Sequence, residues 1–163
     1  MSGKHLIESP TKSDGAALWR IARDSQKLDL NSSYAYLLLS HDFADTSVVA
    51  KVDGTAVGFV LGYRKHDVGF VWQVAVDASQ RGKGLAGALL DELFQRLVAQ
   101  GVRYLETTIT PDNEASIRLF ASFAKRWDAT LERRDLFSAA DFPAEDGTHE
   151  QEDLYRIGPL SSH

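Results

Sequence analysis

Apolar residues recur at two different spacings along the chain, and the spacing separates predicted helices from predicted strands. Helical spacing predicts helices from a capping box at 11–14 to about Ser25, from an N-cap at 31–33 onward, from Leu85 to Gly101, and from Asn113 to about Arg126. Strand-like segments surround these helices at 6–8, 47–52, 55–63, 70–77, 103–110, 129–133 and 154–157. This order predicts an α/β fold in which one mixed sheet carries helices on its faces.

One turn can be predicted in detail. The dipeptide Asp53-Gly54 separates two of the strand segments, and Asp-Gly favours a type I′ hairpin turn. The strands at 47–52 and 55–63 are therefore expected to pair as antiparallel neighbours.

Composition limits the chain to a few classes of protein. Its 163 residues have room for one ordinary domain, and we expect a single domain over 1–163 with an ordered core of about 5–159. The formal net charge of −5 argues against a nucleic-acid partner, and no apolar run reaches the length of a membrane span or signal peptide. The absence of cysteine excludes a cysteine nucleophile and thiolate metal ligands. A cytoplasmic protein that uses no metal is expected.

The segment 80–84, Gln-Arg-Gly-Lys-Gly, lies between a predicted strand and a predicted helix. Free N–H groups at a helix start, the helix dipole and two cations suit a bound phosphate. The spacing is not that of a P-loop, because no Lys-Ser or Lys-Thr pair follows it. On these residues alone, a purely structural tight turn explains the glycines equally well.

Two segments resemble the GNAT superfamily of N-acetyltransferases. Arg81–Ala86 matches its pattern [QR]-x-x-G-x-[GA], and Asn113–Phe120 is similar to its second motif. The resemblance implies a mostly antiparallel sheet that splays between its fourth and fifth strands. It also implies acetyl-coenzyme A as co-substrate, held by Val74, Ala75, Val76, Arg81, Gly82, Lys83, Gly84, Leu85, Ala86 and Asn113.

A narrower resemblance is to the diaminobutyrate acetyltransferases of ectoine synthesis. It rests on four segments, which are 29–36, 70–74, 104–108 and 149–159. It implies transfer of an acetyl group to the 4-amino group of L-2,4-diaminobutyrate, by direct attack in a ternary complex, in a homodimer. Apolar residues at 136–137 and Phe142 suit a dimer interface.

The two resemblances together supply candidates for the acceptor site, with Glu106 at the position where many members of the superfamily have a general base. Glu106, Tyr34 and His149 are candidate catalytic groups, and the candidate substrate contacts are Asp29, Tyr34, Trp72, Thr107 and Glu152. Each also has a structural reading: Glu106 as a surface strand residue, Asp29 as a turn cap, His149 and Glu152 as solvated residues, and Trp72 as core.

One position departs from the superfamily pattern. Phe120 stands where many members have a tyrosine that protonates the coenzyme thiolate. Tyr34 and Tyr155 are the candidate substitutes, with water as the alternative.

Two other functions stay open at this point. A broader small-amine acetyltransferase would tolerate different acceptor lengths. A regulatory module with the same fold would bind acyl-coenzyme A without turnover.

Overall fold

The structure is a computed structural model that describes residues 5–25, 28, 30–146 and 149–161. Within these residues the helices are Gly15–Ser25 (α1), Ser33–Asp42 (α2), Leu85–Ala99 (α3) and Glu114–Arg126 (α4). The strands are Leu6–Glu8 (β1), Val48–Val52 (β2), Thr55–Lys65 (β3), Val68–Val76 (β4), Tyr104–Ile109 (β5), Thr130–Phe137 (β6) and Glu152–Gly158 (β7).

The seven strands form one mixed sheet in the order β1-β2-β3-β4-β5-β7-β6, and the β4–β5 pair is the parallel one. The predicted fold class is therefore confirmed. The predicted hairpin is also present, because Asp53 (φ 51°) and Gly54 (φ 81°) both adopt the positive φ of a type I′ turn between β2 and β3. Strands β6 and β7 both run beyond the predicted segments 129–133 and 154–157.

The helices cover the two faces of the sheet with separate apolar layers. Helices α3 and α4 pack on one face around Leu89, Phe94 and Phe123, all of them fully buried. Helices α1 and α2 pack on the other face, with Leu18 and Tyr36 against Phe59. None of the described helices is both long and apolar enough to cross a membrane.

A β-bulge bends β4 in its middle. Its register with β3 moves from the pair Leu61–Gln73 to the pair Gly62–Val71, so Trp72 is the extra residue. The bulge needs glycine at position 62, because a Cβ there would lie 2.5 Å from the carbonyl oxygen of Phe70.

Strands β4 and β5 pair at one end and part at the other. Their register covers residues 68–71 of β4 and 104–107 of β5, whereas β4 continues to Val76 and β5 to Ile109. Thr107 closes the junction by donating its hydroxyl to the carbonyl oxygen of Val71 at 2.9 Å. This gap is the splay expected between the fourth and fifth strands.

Candidate active site

The gap between β4 and β5 opens into two adjoining cavities. The larger one, of about 830 Å³, extends over the bulge and the end of β5, and we call it the acceptor cavity. The smaller one, of about 350 Å³, extends along β4 to the start of α3, and we call it the loop cavity. The described residues that line both are Leu28, Val74, Asn113, Ala115 and Ser116.

The backbone of β4 faces this gap at alternate residues. The N–H of Asp77 donates to the carbonyl oxygen of Val57 at 2.8 Å, which fixes the hydrogen-bonding phase of β3 and β4. In antiparallel strands the hydrogen-bonding pattern repeats at every second residue. The N–H and C=O groups of Ala75 therefore point toward β3, whereas those of Val74 and Val76 point toward the gap. An extended ligand in the gap would thus find a strand edge.

The loop cavity ends at an anion-binding element. Gly82 (φ 79°) and Gly84 (φ 73°) hold the left-handed conformation before α3, and a Cβ at either would meet no atom within 4 Å. Gly84 is the N-cap and has no side chain to bond the first N–H groups of α3, whose first turn has no acidic residue. These N–H groups and Arg81 therefore suit an anionic group.

The residues predicted to bind the coenzyme fit such a ligand. Those that line the loop cavity are Val74, Ala75, Val76, Arg81, Gly82, Gly84, Leu85, Ala86 and Asn113. Lys83 is exposed and is not among the residues that line the loop cavity. The edge of β4, the glycine turn and the start of α3 lie along one cavity. Together they suit an elongated ligand that carries a phosphate group at one end.

The acceptor cavity is acidic. Its lining includes Asp112, Glu114, Glu150 and Glu152, and none of its lining residues in the described part of the chain is Lys or Arg. Hydrogen bonds from the side chains of Thr110 and Glu150 lower the pKa of Asp112. The bond to Asp112 in turn raises the pKa of Glu150. Such a lining attracts a cationic acceptor.

His149 lines the acceptor cavity in a fixed orientation. Its ring stacks on Phe142 with centroids 3.7 Å apart and planes 11° from parallel. Its Nδ1 lies 2.6 Å from the carbonyl oxygen of Glu150, which can only accept, so Nδ1 carries the proton. In the neutral ring this leaves the lone pair on Nε2, the arrangement that a general base requires.

The bulge carries two further lining residues, Trp72 and Gln73. Gln73 is 6% exposed and accepts a hydrogen bond of 2.9 Å from the hydroxyl of Tyr36, which is fully buried. The Tyr36 ring is tilted against Trp72 at 5.9 Å. Trp72 therefore belongs both to the cavity wall and to the layer under α1 and α2.

Several predicted acceptor-site residues lie elsewhere. Glu106 is not among the described cavity-lining residues, and its carboxylate pairs with the guanidinium of Arg156 at 2.5 Å. Tyr34 is 66% exposed on α2 and also lines neither cavity. Asp29 falls outside the described residues.

The two groups suggested in place of the missing tyrosine do not reach either cavity. Tyr155 is 3% exposed and packs in the core, and Tyr34 is on the surface. Phe120 itself lines the acceptor cavity. No tyrosine is found among the described residues that line the two cavities.

A family model described as the acetyltransferase (GNAT) family matches residues 15–124, which is more than half of the chain. The chain belongs to the GNAT family of acetyltransferases. It is 58% identical over 161 residues to an L-2,4-diaminobutyric acid acetyltransferase of Streptomyces coelicolor, covering 96% of this chain and 94% of the relative. The corresponding enzyme of Marinococcus halophilus is 46% identical, with 96% and 91% covered.

A solved structure gives the same picture. Diaminobutyrate acetyltransferase EctA of Paenibacillus lautus, in complex with its substrate L-2,4-diaminobutyric acid and coenzyme A, superposes with a TM-score of 0.91. It is 39% identical and the match covers 99% of this chain and 98% of that one. The expected GNAT family, fold and acetyl-coenzyme A use are confirmed.

Sequence reasoning missed part of the lining of the acceptor cavity. Asn31, Gln73, Asp112 and Glu150 line the acceptor cavity and were not among the candidates. Asp112 and Glu150 lie on connections that flank candidate residues, which is a usable signal. Gln73 has its own signal, since it is a polar side chain within an apolar strand.

Proposed function

We propose that this chain transfers the acetyl group of acetyl-coenzyme A to the 4-amino group of L-2,4-diaminobutyrate by direct attack in a ternary complex. The observation that carries the proposal is the junction of an anion-binding loop cavity with an acidic acceptor cavity across the β4–β5 gap. Relatives named for this activity, at 58% and 46% identity over nearly the whole chain, support the choice of acceptor.

The coenzyme is proposed to bind along β4 and on the glycine turn. Arg81, Gly82 and Gly84 would receive its diphosphate, with Leu85 and Ala86 contributing helix N–H groups. Val74, Ala75 and Val76 would border its extended arm, and Asn113 would stand at the passage between the two cavities. When bound, acetyl-coenzyme A supplies the acetyl thioester, and the chain positions it.

The acceptor amine must lose a proton before it can attack. An alkylammonium has a pKa of about 10.4, so nearly all of it is protonated at neutral pH. His149 is the best-placed candidate to take that proton, because it lines the cavity and its Nε2 has the lone pair. Glu152, Trp72 and Thr107 are proposed acceptor contacts that line the same cavity, and Asp29 stays a further prediction.

Three attributes of the protein remain proposals. The activity is proposed to reside in a single domain over 1–163 of a cytoplasmic homodimer. The exposed side chains of Leu136 and Phe137 at the end of β6, the last strand of the sheet, support a dimer. Phe142 does not add to that surface, because it is partly buried and stacks on His149.

The test is release of coenzyme A thiol with a panel of amines, followed by NMR of the product. We expect kcat/KM for L-2,4-diaminobutyrate to exceed that for ornithine, lysine and spermidine by at least about tenfold, because a pocket that hydrogen-bonds its substrate rejects poor fits. The acetyl group should appear on the 4-amino nitrogen. Equal turnover of all amines would favour the broader acetyltransferase, and coenzyme binding without any turnover would favour the binding module.

A further inference from the structure

One wall of the acceptor cavity is formed by residues 149–152, which we call the wall segment. His149, Glu150 and Glu152 line the cavity, and β7 begins only at Glu152. For the proposed function, on which this inference rests, these side chains must keep one arrangement while the acceptor binds. The sheet includes only the last residue of the wall segment, so the residues before it depend on other contacts.

The strand pairing is irregular where the wall segment joins β7. Asp135 of β6 lies opposite Asp153. The next pair is Phe137 with Glu152, so one residue of β6 is left over and forms a β-bulge. The register with β5 likewise begins at Asp153. Because a bulge disrupts the ladder locally, regular pairing of β7 with both neighbours starts at Asp153, directly after the wall segment.

The carboxylate of Asp153 ties the wall segment to β6. Its side chain is only 2% exposed, and a carboxylate that is buried this deeply needs bonded partners. Arg133 of β6 donates to Oδ2 of Asp153, from Nε at 3.1 Å and from Nη2 at 2.6 Å. Gln151, within the wall segment, donates its Nε2 to Oδ1 at 3.0 Å. The two oxygens of one carboxylate therefore join two different parts of the chain.

This connection is anchored in the core. The guanidinium of Arg133 lies over the ring of Tyr155 at 5.7 Å from its centroid, and Tyr155 is 3% exposed. Neighbouring residues of a strand point to opposite faces, so fixing Asp153 on one face also sets the direction of Glu152 on the other. Asp153 thus acts on the cavity wall without being among the described residues that line it.

We propose that Asp153 is a positioning residue that, together with Arg133 and Gln151, holds the wall segment in the arrangement that binds the acceptor. A buried ion pair contributes little net stability once its desolvation is counted, but it can select one arrangement of the chain. The exposed pair of Arg134 and Glu132 has no such task, since both residues belong to β6.

The main variant is Asp153→Asn, which keeps the side-chain size but replaces one acceptor oxygen by a donor, so Arg133 or Gln151 loses its bond. We expect the KM for diaminobutyrate to rise about fivefold or more, because acceptor binding must then also order the wall segment. The Kd of coenzyme A should change less than about twofold, since the wall segment contributes none of the described residues that line the loop cavity. Steady-state kinetics at saturating acetyl-coenzyme A and isothermal titration calorimetry measure the two constants.

Arg133→Gln and Arg134→Gln form a second, matched comparison. Each removes one positive charge from β6, so both change the long-range field on a cationic acceptor in the same direction. Arg133→Gln should raise the KM about threefold to tenfold, because it removes the charged fork that holds Asp153. Arg134→Gln should leave the KM close to the wild-type value, since an exposed ion pair contributes little. Arg133→Lys, which keeps the charge but not the fork, should fall between the wild type and Arg133→Gln.

The split between the two constants separates positioning from stability. A purely structural role of Asp153 would lower the melting temperature and leave the KM unchanged at temperatures well below it. An equal rise in the KM for the acceptor and in the Kd of coenzyme A would mean a general loss of structure. Either result would contradict the inference.

The outcomes also separate this inference from the proposed function. If the wild-type enzyme acetylates no amine, the proposed function fails and this inference with it. If it acetylates a different amine, the choice of acceptor fails, and the same variants test this inference with that amine. If the wild type acetylates diaminobutyrate and Asp153→Asn has an unchanged KM, this inference alone is wrong. Should Asp153→Asn not fold, an unchanged KM in Arg133→Gln overturns it instead.

Discussion

At the scale of single residues, Glu106 and His149 compete for the role of base. Glu106 has an occupied carboxylate, paired with Arg156 at 2.5 Å, and Arg156 in turn stacks over the Tyr104 ring at 3.8 Å. This cluster joins β5 to β7 and lies outside the cavity lining. His149 lines the cavity with its tautomer fixed. The geometry thus favours His149 as the base and gives Glu106 a structural task.

We predict that His149→Gln and Glu106→Gln produce different defects. His149→Gln should lower kcat by about 10²–10³ and remove the acidic limb of the pH–rate profile, because a general base contributes a factor of this size. Glu106→Gln should retain most of kcat but lose about 1–2 kcal/mol of unfolding free energy, since Arg156 loses a charge-assisted hydrogen bond. Steady-state kinetics over pH and urea unfolding measure the two effects. A stable Glu106→Gln enzyme without activity would restore Glu106 as the base.

Residue identity could be predicted from the sequence where a side chain or glycine is required by local chemistry. Gly82, Gly84 and Asn113 were found because a turn or a cap dictates them. Gln73 was missed because its place in the cavity wall depends on a bulge at Trp72 and on a hydrogen bond from Tyr36, which is 37 residues away in the sequence. Local patterns do not contain such long-range pairs.

At the scale of elements, the start of α3 is where positive charge and helix N–H groups meet at the end of the loop cavity. The left-handed Gly84 sets the helix start, Arg81 lines the loop cavity, and Lys83 projects from the same turn without lining it. Within this one turn, the effect of a lining residue, Arg81, can therefore be tested separately from the long-range effect of the charge on Lys83.

We predict that Lys83→Glu raises the Kd of coenzyme A about threefold to tenfold, because it reverses a charge beside a helix N-terminus that binds an anion. The effect should shrink in high salt, since an exposed charge is screened. Lys65→Glu is the control, as this exposed lysine pairs with Val68 at the opposite end of β4. Isothermal titration calorimetry measures all three proteins. An unchanged Kd for Lys83→Glu would mean that the diphosphate does not lie at this turn.

Elements were predictable where apolar periodicity is strong and less so where it is weak. The hairpin of β2 and β3 and the amphipathic α4 follow the expected pattern. Strand β6 is exposed along most of its length, and charged side chains such as Glu132 and Arg134 give it no apolar alternation, so its end was underestimated. The insertion of β7 between β5 and β6 is a property of the topology, which local spacing does not encode.

At the scale of the whole molecule, charge is divided between the two sides of the β4–β5 gap. The coenzyme side presents Arg81, glycine N–H groups and a helix N-terminus, whereas the acceptor side presents four carboxyl groups. The net charge of −5 adds a general negative potential. This division of charge favours an anionic ligand in the loop cavity and a cationic ligand in the adjoining acceptor cavity.

We predict that salt weakens acceptor binding in proportion to the acceptor's charge. Raising KCl from about 0.05 M to about 0.5 M should increase the KM for diaminobutyrate about twofold to threefold. The reason is that salt screens the attraction between the cationic acceptor and the exposed carboxyl groups of the cavity wall. The inhibition constant of 1,3-diaminopropane, which has one more net positive charge, should rise more steeply. Both are measured at saturating acetyl-coenzyme A, so that weaker coenzyme binding does not contribute. Equal salt dependence for the two amines would mean that shape and hydrogen bonds select the acceptor, without a contribution from the acidic wall.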